Sequence, residues 1–236
     1  MGILSLSDKI AQSRSVGKCE RCGADTEVFL GKRVCDACVK AKVDGERKER
    51  RITRLRALVG EGAIEPDTQY AWSRWRWPSI TSGIEGAQTV FATSQNVWLW
   101  GPTGVGKSHL ARVKLVKAVE NGVHDVAEVS ANTLVKTGML FRDDLGRIQQ
   151  WQRAGVLLLD DIDKVAWRRE HVAILWELLD KRSSNGRQTV VTANMTLRDF
   201  HSWLRDVCAD NHSVATGALD RLKPVKRVEL KGTSRR

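Results

Sequence analysis

Apolar positions fall into two kinds of pattern along the 236 residues. Val97–Trp100 and Val156–Leu159 are short runs without a polar break, and they predict buried strands, as does the largely apolar Thr189–Ala193. Asp125–Ser130 and Val225–Leu230 predict two more strands. Between these runs the apolar residues recur every three or four positions. Ala111, Leu115, Ala118 and Val119 share one helical face, with Lys114 and Lys117 on the other. Val172, Ile174, Leu175, Leu178 and Leu179 do the same within a helix predicted over Glu170–Lys181. Leu134–Ala154 carries helical patterning with an expected break near Gly138. Leu197–Leu204 predicts a short helix, and Gly217–Lys223 ends another. Asn121-Gly122 and Asn185-Gly186 mark turns.

The link between the first buried run and its helix is Gly101-Pro102-Thr103-Gly104-Val105-Gly106-Lys107-Ser108, which fits G-x-x-x-x-G-K-[ST]. A strand, a glycine loop and a helix are the context that this pattern needs. Its glycines let backbone N–H groups close around phosphate oxygens, and the helix start adds unpaired N–H groups and a positive dipole end. Lys107 is expected to reach the β- and γ-phosphates, and Ser108 to hold Mg²⁺. The run Val156–Leu159 ends in Asp160, Asp161, Ile162 and Asp163. Asp160 is expected to orient the Mg²⁺ shell and Asp161 to polarise an attacking water. The run from Thr189 ends in Asn194, a polar amide placed to touch the γ-phosphate or that water.

The first forty residues have a different chemistry. Cys19-Glu-Arg-Cys22 and Cys35-Asp-Ala-Cys38 are two C-x₂-C pairs separated by twelve residues. Four thiolates so spaced predict a closed, structural Zn²⁺ site, with metal binding supplying the folding free energy of a module too small to fold alone. A short hairpin is expected within Gly23–Val34, and residues 1–17 read as a loose lead-in. The fifth cysteine, Cys208, reads as a small core residue.

Charge narrows the partners. A formal net charge of +11 and a pI near 9.7 favour a polyanion, nucleic acid above all. Residues 39–60 form a basic amphipathic helix, with Ile52, Leu55, Leu58 and Val59 at helical spacing and Gly60 and Gly62 ending it. It reads either as a nucleic-acid or partner surface or as a solvated linker. Trp72, Trp75 and Trp77, interleaved with Arg74 and Arg76, can stack on bases, but packing against the core is favoured. No secretory leader, myristoylation signal or membrane-spanning run is read, so a soluble cytoplasmic protein is expected.

Gly-Pro-Thr-Gly-Val-Gly-Lys-Ser-His-Leu-Ala, Leu-Leu-Leu-Asp-Asp-Ile, Val-Thr-Ala-Asn-Met, Ala-Leu-Asp-Arg-Leu and the ending Glu-Leu-Lys-Gly-Thr-Ser-Arg resemble the AAA+ ATPases of the DnaC/DnaI helicase-loader and IstB transposition-helper group. The four-cysteine module resembles the DnaI-type arrangement. The resemblance implies an α/β P-loop fold with a central parallel sheet flanked by helices. It implies a zinc module over 1–38, a basic helical linker over 39–62 and an AAA+ domain over 63–236 without an obvious lid or sensor 2. By the same resemblance, residues Gly101 to His109 and Asp160 bind ATP, Asn194 is sensor 1, and Arg221 is an arginine finger acting on ATP held by a neighbouring subunit. The implied role is an ATP-hydrolysing loader that self-associates through the ATP site and places a replicative helicase on single-stranded DNA. The alternative is an IstB-like helper that binds duplex DNA and a transposase.

Overall fold

The computed structural model describes residues 15–28, 33–75, 81–139 and 145–232. The chain divides into two compact units, Met1–Arg51 and Ile52–Arg236.

In the first unit, strands β1 (Ser15–Lys18) and β2 (Asp25–Val28) pair antiparallel, with Ser15 opposite Val28 and Lys18 opposite Asp25. The hairpin is therefore not contained in Gly23–Val34, and residues 15–17 are strand rather than lead-in. The reason is that the first cysteine pair is itself the turn. Cys19 N–H donates to Ala24 O at 2.8 Å, Gly23 N–H to Cys19 O at 2.8 Å, and Gly23 takes φ +75°. Phe29–Lys32, part of the segment in which the hairpin is expected, and residues 1–14 lie outside the described residues. Helix α1 (Asp36–Gly60) then begins inside the second cysteine pair, with Asp36 in its first turn, where a carboxylate suits the helix dipole.

The second unit is a five-stranded parallel sheet in the order β4-β5-β6-β3-β7, where β3 is Asn96–Trp100, β4 Val126–Ser130, β5 Val156–Asp160, β6 Gln188–Ala193 and β7 Val225–Glu229. Strand side chains alternate between faces. On one face lie Trp98, Leu157, Leu159, Val191 and Ala193; on the other lie Val97, Leu99, Val156, Leu158 and Val190. All of these are buried, so both faces need helices, and the unbroken apolar runs follow from that. The first face is covered by α5 (Ala131–Met139), α6 (Leu145–Arg153), α7 (Arg169–Ser184), α8 (Leu197–Val207) and α9 (His212–Asp220). The second is covered by α4 (Lys107–Glu120), α3 (Thr81–Ala92), the end of α1 and the short α2 (Ala71–Arg74).

Three local results refine the sequence reading. Gly62, at φ +64°, ends α1 while Ala63 N–H returns to Leu58 O at 2.9 Å. Gly138 does not break its helix; it lies inside α5, where an added Cβ would come within 2.6 Å of the Ile174 side chain. A small residue is needed there for α5 to close on α7. The interruption falls after Met139, in residues outside the description. Cys208 is fully buried among the residues of the first face. Among the described residues no helix is long and apolar enough to cross a membrane.

Candidate nucleotide site and four-cysteine cluster

The parallel register brings the site together. Trp100 pairs with Ala193, so the next residues, Gly101 and Asn194, leave the sheet side by side. Leu159 pairs with Val191, which brings Asp160 and Asp161 to the same end of β5. A crevice beyond the carboxyl ends of parallel strands is where such sheets bind ligands.

Gly101 is required by its neighbour. The chain leaving β7 crosses directly over it: Leu230 N–H donates to Trp100 O at 2.8 Å, and a Cβ on Gly101 would stand 2.2 Å from Leu230 O. Gly106, at φ +98°, caps the start of α4 in a left-handed conformation. The loop thus delivers Lys107 to the first turn of α4. Lys107 is 6% exposed, and its ammonium donates to Gly101 O at 2.9 Å, Pro102 O at 2.8 Å and Asn194 Oδ1 at 2.9 Å. Three acceptors satisfy all three of its hydrogens. Burial pulls the Lys107 pKa down, against the opposing charges of Asp161 and Asp163.

The acids are held by β6. Thr192, fully buried, donates its hydroxyl to Asp160 Oδ1 at 2.5 Å and accepts from Asp161 N–H at 2.9 Å. Asp161 sits at φ +54°, the one non-glycine residue at positive φ among those described. Burial raises its carboxyl pKa, and the charges of Asp160 and Asp163 raise it further. Asp163, on the 3₁₀ turn Ile162–Lys164, accepts from the Asn194 backbone at 3.0 Å and from its Nδ2 at 2.9 Å.

These groups border a cavity of about 770 Å³, lined by Thr103 to Leu110, Arg112, Asp161, Lys164, Asn194, Arg74, Trp75, Leu230 and Lys231. Ser108 and His109 line it. Asp160 lines a smaller neighbouring cavity of about 360 Å³ with Arg112, Glu128 and Ser130. Trp75 lies stacked on His109, ring centres 5.7 Å apart at 18°. It also meets Phe91 edge-on at 5.8 Å, while Trp72 meets Phe91 at 6.4 Å under the Lys117 ammonium. Both tryptophans therefore pack; Trp77 lies outside the described residues. Arg221 does not border the cavity. It follows α9 and pairs through Nε with Asp180 Oδ1 of α7 at 2.6 Å.

In the first unit the sulfurs of Cys19, Cys22, Cys35 and Cys38 all lie within 4.8 Å of one another and could hold a metal ion. Cys35 N–H points at Cys19 Sγ at 3.4 Å. The backbone N–H groups of Cys35, Arg21 and Cys22 pull the Cys19 thiol down to about 6. Its neighbours Cys22 and Cys35 push Cys38 up to about 12. Four soft sulfur donors in this array fit Zn²⁺.

Sequence reasoning left Asp163, Thr192 and the Trp75–His109 stack without roles. The third acid in Asp160-Asp161-Ile162-Asp163 was a visible signal for the first; nothing local marked Thr192, whose part depends on strand register.

The family of IstB-like ATP binding proteins matches residues 39–236, starting one residue beyond Cys38. An insertion sequence IS21 putative ATP-binding protein from Pseudomonas aeruginosa is 37% identical over 132 residues, 55% of this chain and 47% of that protein. A putative insertion sequence ATP-binding protein from Sinorhizobium fredii is 28% identical over 207 residues, 84% of this chain and 66% of that one. The chain thus spans about half to two thirds of these relatives' length. In fold it is similar to DnaI, at a TM-score of 0.55 and 19% identity over 75% of this chain and 98% of DnaI. The match over residues 39–236 places this chain in the family of IstB-like ATP binding proteins.

Proposed function

We propose that the chain is a Mg²⁺-dependent ATPase that works on DNA as a helper of a second protein, and that this second protein is a transposase. The observation that carries the ATPase reading is the meeting of Lys107, Asp161 and Asn194 at one end of the parallel sheet. Lys107 would exchange its loop carbonyls and Asn194 Oδ1 for phosphate oxygens, while N–H groups of Gly104 to Ser108 close around them. Ser108 and Asp160 would hold Mg²⁺, which supplies charge neutralisation at the phosphates. Asp161 would take a proton from the attacking water. Arg221, exposed beyond α9, would complete the site of a neighbouring copy. In the first unit, Cys19, Cys22, Cys35 and Cys38 would hold a structural zinc.

The insertion-sequence relatives and the family support the transposition reading. The second reading, a loader of a replicative helicase onto single-stranded DNA, is favoured by the four-cysteine unit, which lies ahead of the family match. Both readings draw on the net charge of +11 for DNA contact.

The test is ATP hydrolysis by the full chain alone, with duplex DNA and with single-stranded DNA, followed by co-purification with a transposase or a replicative helicase in the presence of ATP. DNA-stimulated hydrolysis is expected, lowered by about a hundredfold or more in Lys107→Ala. Unchanged hydrolysis in that variant would sink the mechanism. ATP-dependent assembly on duplex DNA with capture of transposase supports the first reading. A defined complex with the helicase replaces it by the second.

A further inference from the structure

Asn194 is clamped between two groups of opposite character. Its backbone N–H and its side-chain Nδ2 both donate to Asp163 Oδ2, at 3.0 and 2.9 Å. Its Oδ1 accepts from Lys107 Nζ at 2.9 Å and faces the Thr103 hydroxyl at 3.4 Å. A carboxylate only accepts hydrogen bonds and an ammonium only donates them. The amide therefore has one orientation that serves both neighbours: NH₂ toward Asp163, oxygen toward the phosphate-binding loop. Turning it over would set NH₂ against NH₃⁺ and oxygen against carboxylate.

Asp163 is itself well held. It belongs to the turn Ile162–Lys164, closed by Lys164 N–H to Asp161 O at 3.0 Å. Ile162 is fully buried, and its carbonyl accepts from Trp167 Nε1 at 2.8 Å. The backbone that carries Asp163 is thus fixed to the core of the sheet, and Asn194 is tied to its carboxylate.

We propose that Asp163 is a positioning residue that orients the Asn194 amide, so that the site receives a hydrogen-bond acceptor from Asn194 rather than a donor. This rests on the ATPase reading for its consequence. When Lys107 turns to the phosphates, Asn194 Oδ1 loses its ammonium partner and is left to accept an O–H of the attacking water beside Asp161. Asn194 does not donate to the γ-phosphate, because its NH₂ is already engaged.

The first test needs no turnover. In uniformly ¹⁵N-labelled full chain, the Asn194 side-chain NH₂ signal is the pair lost in Asn194→Asp. One of its protons is expected downfield and slow to exchange, and in Asp163→Ala it returns to the position of a solvated amide. An unchanged pair in Asp163→Ala overturns the assignment. Should that variant fail to fold, the near-isosteric Asp163→Asn replaces it, and the downfield shift must then shrink. The second test is kinetic. Asp163→Ala is expected to lower kcat by about ten- to a hundredfold while KM moves less than about threefold. Asn194→Asp sets two carboxylates face to face and is expected to lose more. The exchange Asp163→Asn/Asn194→Asp restores donor and acceptor in swapped places, and is expected to recover at least about tenfold over Asn194→Asp alone. No recovery shows that the site needs a donor from Asn194, and the proposal falls. A wild-type chain that hydrolyses no ATP with either DNA overturns the ATPase reading instead, and the NH₂ comparison then decides the role of Asp163.

Discussion

In the N-terminal unit, the buried apolar residues among those described are Cys19 and Cys35, whereas the second unit buries two continuous hydrocarbon layers, one on each face of its sheet. The same difference governs the charges in each. The Cys19 thiol is pulled down by backbone N–H groups pointing at sulfur. Lys107 and Asp161 are shifted chiefly by burial, each toward its neutral form. One unit is organised by donors around a polar centre. The other is organised by apolar packing that leaves a narrow polar seam where three strands end. A hairpin of two four-residue strands and a helix start have too little surface to hold themselves together, while a sheet covered on both faces does not need a metal.

On the structural-zinc reading, removing the metal would break the comparison most sharply. Structural zinc in small cysteine modules is worth about 10–16 kcal/mol in apparent binding free energy, and that energy is folding energy. Strong chelation, or Cys22→Ser, is expected to unfold the first unit and leave the second intact. All nine tryptophans lie beyond Arg51, so their fluorescence reports the second unit alone. The expected outcome is loss of amide protection over residues 15–28 and 33–51, with tryptophan emission and nucleotide binding unchanged. Emission that collapses with the metal would show that the second unit depends on the metal as well.

Arg182 supplies the next largest effect, this time within the hydrocarbon unit. Its guanidinium has no exposed surface and donates to Thr189 Oγ1 at 2.9 Å, Trp151 O at 2.6 Å, Ala154 O at 2.7 Å and Gln188 O. Burial, with Arg187 nearby, lowers its pKa to about 9. It ties the end of α6 to α7 and to the entry of β6. Arg182→Met keeps much of the stem but leaves these carbonyls unpaired, and is expected to cost about 3–5 kcal/mol. Urea unfolding followed by tryptophan emission measures it. A loss below about 1 kcal/mol would mean that packing, and not this polar tie, sets the stability of the sheet's far end.

The legible parts of this chain were those written in contiguous residues. The glycine loop, the four cysteines and the buried strands are local, because phosphate cradles, metal knuckles and two-sided burial each impose a short pattern. What stayed hidden depends on register or on close approach. Thr192 looked like one residue of an apolar strand, yet the alignment of β5 with β6 puts its hydroxyl between Asp160 and Asp161. Gly138 looked like a helix breaker because a glycine's tolerance for turns and its lack of a Cβ leave the same mark in a sequence; its neighbour Ile174, 36 residues on, shows which is in use. The hairpin's place is hidden for a related reason, since the first cysteine pair forms its turn as well as offering two sulfurs.

The smallest effect tests the cause of the charge shifts in the seam. In the proposed mechanism Asp161 accepts a proton only when ionised, so kcat/KM is expected to fall as pH drops through its pKa. That pKa is raised by burial and by Asp160 and Asp163. The acid limb is therefore expected above the ordinary carboxylate value of about 4, with roughly a tenfold loss per pH unit below it. Neighbouring charges should move the limb in opposite directions. Asp163→Asn removes a negative charge, favours ionised Asp161 and shifts the limb to lower pH. Lys164→Gln removes a positive charge that lowers the Asp161 pKa, and shifts the limb to higher pH. The position of the limb is the measure, since the plateau height also carries the effect of Asp163 on Asn194. Limbs that coincide in all three proteins would mean that the rate is set by a proton elsewhere, and that the charges of Asp163 and Lys164 do not tune this step.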